Sequence, residues 1–322
     1  MKISIAMATY NGAAFLREQL DSIIDQSRLP DELIVCDDQS TDDTVQILRD
    51  YAGRPPFPIR VEINEKRLGS TKNFEKAIGL CSGDIIALSD QDDVWMRHKL
   101  ETIEQRFGRD SDLGLVFSDG FLIDEFGTRL SGNMWSRWHF NGQLQKMLHS
   151  HSGANDLLLS RHFMTGATMA FRSSWRDLIL PIPDKIDTFI HDRWIALTIA
   201  AVARVGLINE KLISYRLHPQ QQMGVGRRSA FQEFLIPAHC SSDQRGLIEL
   251  KQRLACVRNN EVDPAFVGAL QTRLKHVAAR AALPAGPVKR AKAVAREYVS
   301  GRYTRYSLGH AQAVRDFLVG TR

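Results

Sequence analysis

The feature that most constrains this chain is an alternation. Across residues 1–120, short runs of Ile, Val, Leu and Ala trade places with segments whose apolar residues recur every three or four positions. Ile3–Ala8, Leu33–Cys36, Ile59–Ile63, Ile85–Leu88 and Leu113–Phe117 read as strands. Between them lie helical patterns: Phe15, Leu16, Leu20, Ile23 and Ile24; then Val45, Ile47 and Leu48; then Phe74, Ala77, Ile78 and Leu80; and finally Lys99–Phe107. Ser40 or Thr41 is the expected cap of the second helix, with Asp42 and Asp43 in its first turn. Strands that are apolar throughout are buried on both faces, which is the environment of a mostly parallel sheet flanked by helices. The expected fold class is therefore α/β.

Open parallel sheets bind ligands beyond the carboxyl ends of their strands, so the polar residues there carry the functional information. Thr9-Tyr10-Asn11-Gly12 follows the first strand, Asp37-Asp38-Gln39-Ser40-Thr41-Asp42 the second, Ser89-Asp90-Gln91-Asp92-Asp93 the fourth and Ser118-Asp119 the fifth. All four clusters are expected on one rim. Such a concentration of carboxylates repels itself unless a cation sits among them; for the Asp-Asp pairs, a helix cap is the plainer alternative. Asp90-x-Asp92 suits Mg²⁺ or Mn²⁺, which prefer oxygen ligands and keep substrate phosphates in their shell. No phosphate-cradling P-loop or dinucleotide fingerprint is present, which argues against ATPases and nicotinamide dehydrogenases. Asn11-Gly12-Ala13-Ala14 also lacks the basic Gly-rich loop that a nucleotidyltransferase would want.

The rest of the chain is less regular. Residues 121–222 are mixed: Thr165–Phe171 reads as a strand, Ile186–Ala201 as a helix, and Arg204–Ile208 with Lys211–Tyr215 as a short hairpin. After Gly224 the pattern is mostly helical, broken at Pro284, Gly286 and Pro287. Charge divides at the same place. Residues 1–222 hold 25 Lys and Arg against 30 Asp and Glu, whereas 223–322 hold 17 against 7. Two regions are expected: 1–222 catalytic (donor half about 1–120, acceptor half about 121–222), and 223–322 a basic helical extension. Cys36, Cys81, Cys240 and Cys256 are far apart without zinc spacing, which fits buried thiols in a reducing compartment. The chain starts directly with a strand pattern and its longest apolar run, Ile195–Ala203, is short of the roughly 20 residues of a membrane span. A cytoplasmic protein without a leader is expected.

Three motifs taken together resemble family 2 glycosyltransferases of the GT-A fold: Ala8-Thr9-Tyr10-Asn11-Gly12, Cys36 to Thr44, and Ser89-Asp90-Gln91-Asp92-Asp93-Val94-Trp95. The likeness covers about residues 1–222. It implies that Thr9, Tyr10 and Asp38 hold the donor base, that Asn11 is also donor-binding, that Asp90 lies near the ribose, and that Asp92 is a direct ligand of a divalent cation. Asp93 either shares this site or caps the next helix. The family's catalytic carboxylate, at a helix start, falls on Asp192 as general base; its alternatives are a bridge to Arg193 or a helix cap. Where many members have Glu-Asp, this chain has His191-Asp192, and His191 is expected on the acceptor side. Tyr215-Arg216-Leu217-His218-Pro219 resembles the ending of bacterial rhamnosyl-type transferases. His218 then completes the metal site and Arg216 neutralises phosphate, or the segment is simply a polar turn. The glutamine-rich stretch 220–222 with Gly224 and Gly226 is a candidate lid. Arg67 is placed near the donor, with a solvated turn as its alternative. Trp135 and Trp138 are candidate stacking surfaces for an acceptor sugar, against ordinary packing under a loop.

The resemblance implies an inverting, metal-dependent transferase (Mg²⁺ or Mn²⁺). It would move a sugar from a dTDP- or UDP-linked donor, rhamnose being the sharper expectation, to a saccharide or lipid-linked acceptor in surface polysaccharide synthesis. The alternative is a catalytically silent sugar-nucleotide-binding subunit of a membrane assembly. Lys289 to Arg296 forms a basic amphipathic segment, expected either to touch the inner face of a membrane or to be a solvated helical face. The chain has no recognisable nucleic-acid module.

Overall fold

The computed structural model describes residues 1–322 apart from 54–55, 187, 220, 222–239, 259–260, 308 and 320–322. The candidate lid therefore lies almost wholly outside the described residues.

Strands β1 (Ile3–Thr9), β2 (Glu32–Asp37), β3 (Ile59–Ile63) and β4 (Ile85–Ser89) run parallel in the order β3-β2-β1-β4. Helices α1 (Leu16–Ile24), α2 (Thr44–Ala52), α3 (Ser70–Leu80) and α4 (Lys99–Gly108) cross between or follow them. Strand side chains alternate between faces, and each face has its own core. Ile85 and Ala87 pack with Ile3, Ile5, Leu20 and Leu100 on one side. Ile86 and Leu88 pack with Ala6, Cys36, Phe74 and Ile78 on the other. Cys36, Cys81 and Cys240 are buried free thiols and Cys256 is exposed.

Beyond β4 the sheet departs from the pattern expected of the middle region. β5 is only Val94–Trp95, whereas β6 runs from Leu113 to Ile123, six residues past the expected end. Asp119 consequently sits in mid-strand rather than at a rim. A hairpin adds β7 (Arg129–Asn133) to β6. α5 (Met134–Arg137), α6 (Gly142–Leu148) and α7 (His151–Ser160) follow. The segment expected as a strand from Thr165 begins with a tight 3₁₀ turn at Gly166–Thr168. Only Met169–Arg172, β8, is extended, antiparallel between β4 and β6. After α8 (Arg176–Ile179), the expected helix at 186–201 starts at His191 (α9, His191–Ala200), which puts Asp192 in its first turn.

The expected hairpin at 204–215 is a single strand, β9 (Arg204–Arg216), parallel to β6 along its length. The register jumps between Ser118↔Ile208 and Asp119↔Lys211. Exposed Asn209 and Glu210 bulge out there without reversing the chain. The far end of β9 pairs antiparallel with β5, Val94 opposite Ser214 and Trp95 opposite Ile213. This pairing carries Tyr215 to His218 to the Asp90–Asp93 loop.

The remaining described residues form helices α10 (Cys240–Ala255), α11 (Pro264–Ala281), α12 (Pro287–Val299), α13 (Arg302–Tyr306) and α14 (His310–Leu318). α11 and α12 both begin with proline, where the missing N–H is not needed. Leu247, Leu250, Phe266 and Leu270 of α10 and α11 lie in the same core as Trp194 and Ile195 of α9. Asp243 accepts from Arg193 at 2.8 Å and from Arg273 at 3.0 Å, tying α9, α10 and α11 together.

Candidate active site

The carboxyl ends of β1, β2 and β4, the start of α9 and the end of β9 surround one cleft of about 920 Å³. Its floor is held by hydrogen bonds between loops distant in sequence. The Thr9 hydroxyl donates to Asp37 at 2.7 Å, and Asp37 also accepts from Ser40 N–H and hydroxyl. Asn11 has φ +47°, a left-handed conformation that Asn tolerates. Its side-chain oxygen accepts the Thr41 N–H at 2.8 Å. Tyr10 and Gln91 pair reciprocally: Tyr10 N–H donates to Gln91 Oε1 at 2.8 Å and Gln91 Nε2 donates to the Tyr10 carbonyl at 3.0 Å. A Cβ on residue 12 would lie 2.2 Å from Gln91 Oε1, so this clamp requires Gly12.

Asp38 faces the cleft, and its carboxylate accepts the N–H groups of Leu68 and Gly69 and the Asn64 amide at 2.7–3.0 Å. This fixes the loop that carries Arg67, whose guanidinium lies 3.8 Å from the Tyr10 ring centre. Neither Ser40 nor Thr41 caps α2: the N-cap position is Asp43, whose side chain makes no capping bond, and Asp42 just before it accepts from the Thr44 N–H and hydroxyl. The carboxylates after β2 are thus satisfied by N–H and O–H donors. The cation expected from their crowding is not needed to explain them.

The crowding after β4 is different. Asp90 faces the cleft, and burial, then the charges of Asp92 and Asp192, push its carboxyl up to about 7. Asp93 is fully buried and does not cap α4; Oδ1 accepts the Arg216 N–H at 3.0 Å, and Oδ2 has no partner among the described residues. Burial, with Asp92 and Asp90 beside it, raises its carboxyl well above the usual range. Asp92 points to His218: Oδ2 and Nε2 are 2.9 Å apart, and the His218 ring leans on Phe15. Arg216 is fully buried and engaged with the Asp92 carbonyl at 2.8 Å and Glu18 at 2.6 Å, so it is a scaffold residue and not the phosphate ligand entertained from the sequence.

Asp192 occupies the first turn of α9, where the helix dipole favours an anion. Burial would raise its carboxyl, but His162, 3.1 Å from Oδ1, together with His191 and the Arg193 N–H, holds it down at about 2. It is therefore ionised at neutral pH. It bonds the backbone of Arg193 rather than the guanidinium, which goes to Asp243. His191 lines the cleft and stacks on Phe74 at 4.1 Å, and burial lowers its pKa, so it stays neutral. Trp138 also lines the cleft. Trp135 does not: it is buried against Phe117 and Phe140, and its backbone N–H donates to Asp119 at 3.0 Å, which removes it from the acceptor side.

Residues 4–178, more than half of the chain, match the family described as glycosyl transferase family 2. The chain belongs to glycosyl transferase family 2. It is 37% identical over 99 residues to the dTDP-rhamnosyl transferase RfbG of Shigella flexneri, covering 30% of this chain and 34% of RfbG. An uncharacterized Mycobacterium bovis protein is 27% identical over 223 residues, 67% of this chain; this chain spans only 59% of that relative's length. Among solved structures, S. aureus TarS 1–349 in complex with UDP-GlcNAc superposes with a TM-score of 0.54 at 18% identity, over 95% of this chain and 93% of that one. The Pyrobaculum calidifontis mannosyltransferase PcManGT, in complex with GDP-Man and Mn²⁺, gives 0.56 at 19%, over 97% and 78%. The fold is that of GT-A glycosyltransferases.

Against this family frame, two residues stand out that sequence motifs did not reveal, one half-buried and one fully buried. His162 follows an apolar run with no motif around it, and only the turn into β8 brings it to Asp192. Lys99 occupies an apolar stripe position of α4; it is fully buried, donates to the Ala167 carbonyl at 2.7 Å and lies 3.8 Å from the Trp95 ring centre. Burial lowers its amine to about 7 against the pull of Asp93 and Asp90.

Proposed function

We propose that this glycosyltransferase moves one sugar, with inversion, from a nucleoside-diphosphate donor to a saccharide or lipid-linked acceptor hydroxyl. A dTDP- or UDP-linked donor is favoured, and the resemblance to a dTDP-rhamnosyl transferase makes rhamnose the first sugar to try. The observation that carries the proposal is that the Asp92–His218 pair and ionised Asp192 face one cleft.

In this reading Tyr10 offers a ring face to the base and Arg67 a positive charge beside it, with Asp38 holding the loop that positions Arg67. Asp90 faces the ribose. Asp92 Oδ2 and His218 Nε2 fit a divalent cation. The two atoms are hydrogen-bonded to each other at 2.9 Å, and a cation would take the place of that bond. No group of three or more His, Cys, Asp and Glu among the described residues is arranged to hold an ion, so donor phosphates and water would supply the other ligands. When bound, such an ion would offset charge on the departing diphosphate. Asp192 accepts the proton of the acceptor hydroxyl. A carboxylate held near 2 is a weak base, so this transfer comes late, as the new C–O bond makes the hydroxyl acidic. His191 and Trp138 line the side where the acceptor enters.

The test is a panel of sugar nucleotides with Mn²⁺ or Mg²⁺, read by nucleoside diphosphate release and thermal shift. Asp192→Asn should lower turnover by about 10²–10⁴-fold with donor-induced thermal shift retained. Near-normal turnover would remove Asp192 from the role. Shifts without release for any donor and acceptor would favour a silent binding subunit, and neither shift nor release would sink the transferase reading.

A further inference from the structure

The last helices turn outward what a surface helix ordinarily turns inward. On α12, Val288 and Val299 are 69% and 85% exposed, and Ala291 and Ala295 share that outward face. On α14, Val314 and Leu318 are 51% and 61% exposed, with Phe317 beside them. The two helices pack on each other through Val294 and Ala313, leaving an apolar groove of about 340 Å³ between them.

The charges on these helices are sorted just as sharply. Their two acids, Glu297 and Asp316, are buried. Glu297 bonds His276 and Arg302, and Asp316 bonds Arg280 and Tyr303. Lys289, Lys292 and Arg296 lie on the exposed side of α12 and make no ion pair among the described residues. The surface therefore combines an apolar strip, a basic edge and no exposed carboxylate on either helix. A helix of this kind lies flat in a lipid interface, apolar side chains among the acyl chains and basic ones at anionic headgroups.

We propose that the outward face of α12 and α14 docks this protein on an anionic lipid bilayer. Contact is peripheral: no described helix is long and apolar enough to cross a membrane. A second copy is the poorer occupant, because a two-fold contact would set the same basic edge against itself. The proposal stands on this surface alone and does not depend on the chemistry of the cleft.

The test floats the full-length protein with phosphatidylcholine vesicles, with and without phosphatidylglycerol. Wild type should partition onto the anionic vesicles, less so as salt is raised, and stay off the neutral ones. Lys289→Gln, Lys292→Gln and Arg296→Gln together should lower partition at low salt by about fivefold per charge, on the order of a hundredfold in all. Val299→Ser with Leu318→Ser should weaken it as well; all five positions are on the outward side, so the thermal unfolding midpoint should stay unchanged. Failure to float with anionic vesicles, or equal partition of wild type and the triple variant, would overturn the proposal. So would self-association in sedimentation that Val299→Ser with Leu318→Ser abolishes while no vesicle binding is seen; that result would assign the face to a second copy.

Discussion

Asp192 is ionised because of what surrounds it, chiefly His162. Its carboxyl is held at about 2, below the ordinary value near 4 of an unfolded chain. A depressed carboxylate contributes stability that is complete above the unfolded value and disappears as the pH falls through the folded one. Here that window runs from about pH 4 down to about pH 2. His162→Ala leaves a buried charge without its partner. It should lower unfolding free energy at neutral pH by about 1–3 kcal/mol and move the onset of acid unfolding upward. Urea denaturation of wild type and variant across a pH series checks both. Residue by residue, the motifs converge on one cleft, and there many of their side chains already bond one another. Thr9 and Asn11 reached the rim, yet their side chains bond Asp37 and Thr41. A motif records which residue types occur together; only the folded contacts show which of their atoms are already engaged.

At the scale of elements, rim loops that follow different strands are locked to one another. The Tyr10–Gln91 clamp joins the loop after β1 to the loop after β4. Gly12→Ala would place its methyl on the Gln91 amide. Gln91 could swing away, but only by giving up both hydrogen bonds. The variant should lose about 1–3 kcal/mol of stability and bind nucleoside diphosphate more weakly, as measured by chemical denaturation and titration calorimetry. Unchanged values for both would show that the clamp is dispensable. The long β9 matters for the same reason. Its parallel run beside β6 and its short pairing with β5 deliver His218 to Asp92 across more than 120 residues of chain.

For the molecule as a whole, the boundary at 222 divides charge but not the hydrophobic core. α10 and α11 cover α7 and α9, and Asp243 sits between Arg193 and Arg273, all three largely buried. Burial pushes Arg273 down to about 10, with Asp243 opposing that shift. A chain ending at residue 222 would expose Trp194 and its apolar neighbours and leave Arg193 without its carboxylate. It should aggregate or melt without a cooperative transition, as followed by circular dichroism and light scattering. A soluble fragment with a sharp melt would instead make 223–322 a separable appendage.

The sequence alone determined the α/β class, four of the parallel strands nearly to the residue, the acidic loops, Asp192 at a helix start and the family itself. These are written in local periodicity and in short motifs, which survive being read along a line. The tertiary structure alone decided that residues 204–216 form one strand, that Trp135 is core and Arg216 scaffold, and that His162 holds Asp192. It also decided which of the clustered carboxylates are already satisfied and which still repel. Those outcomes depend on partners far apart in the chain and on what burial does to a charge, and neither is visible until the chain is folded.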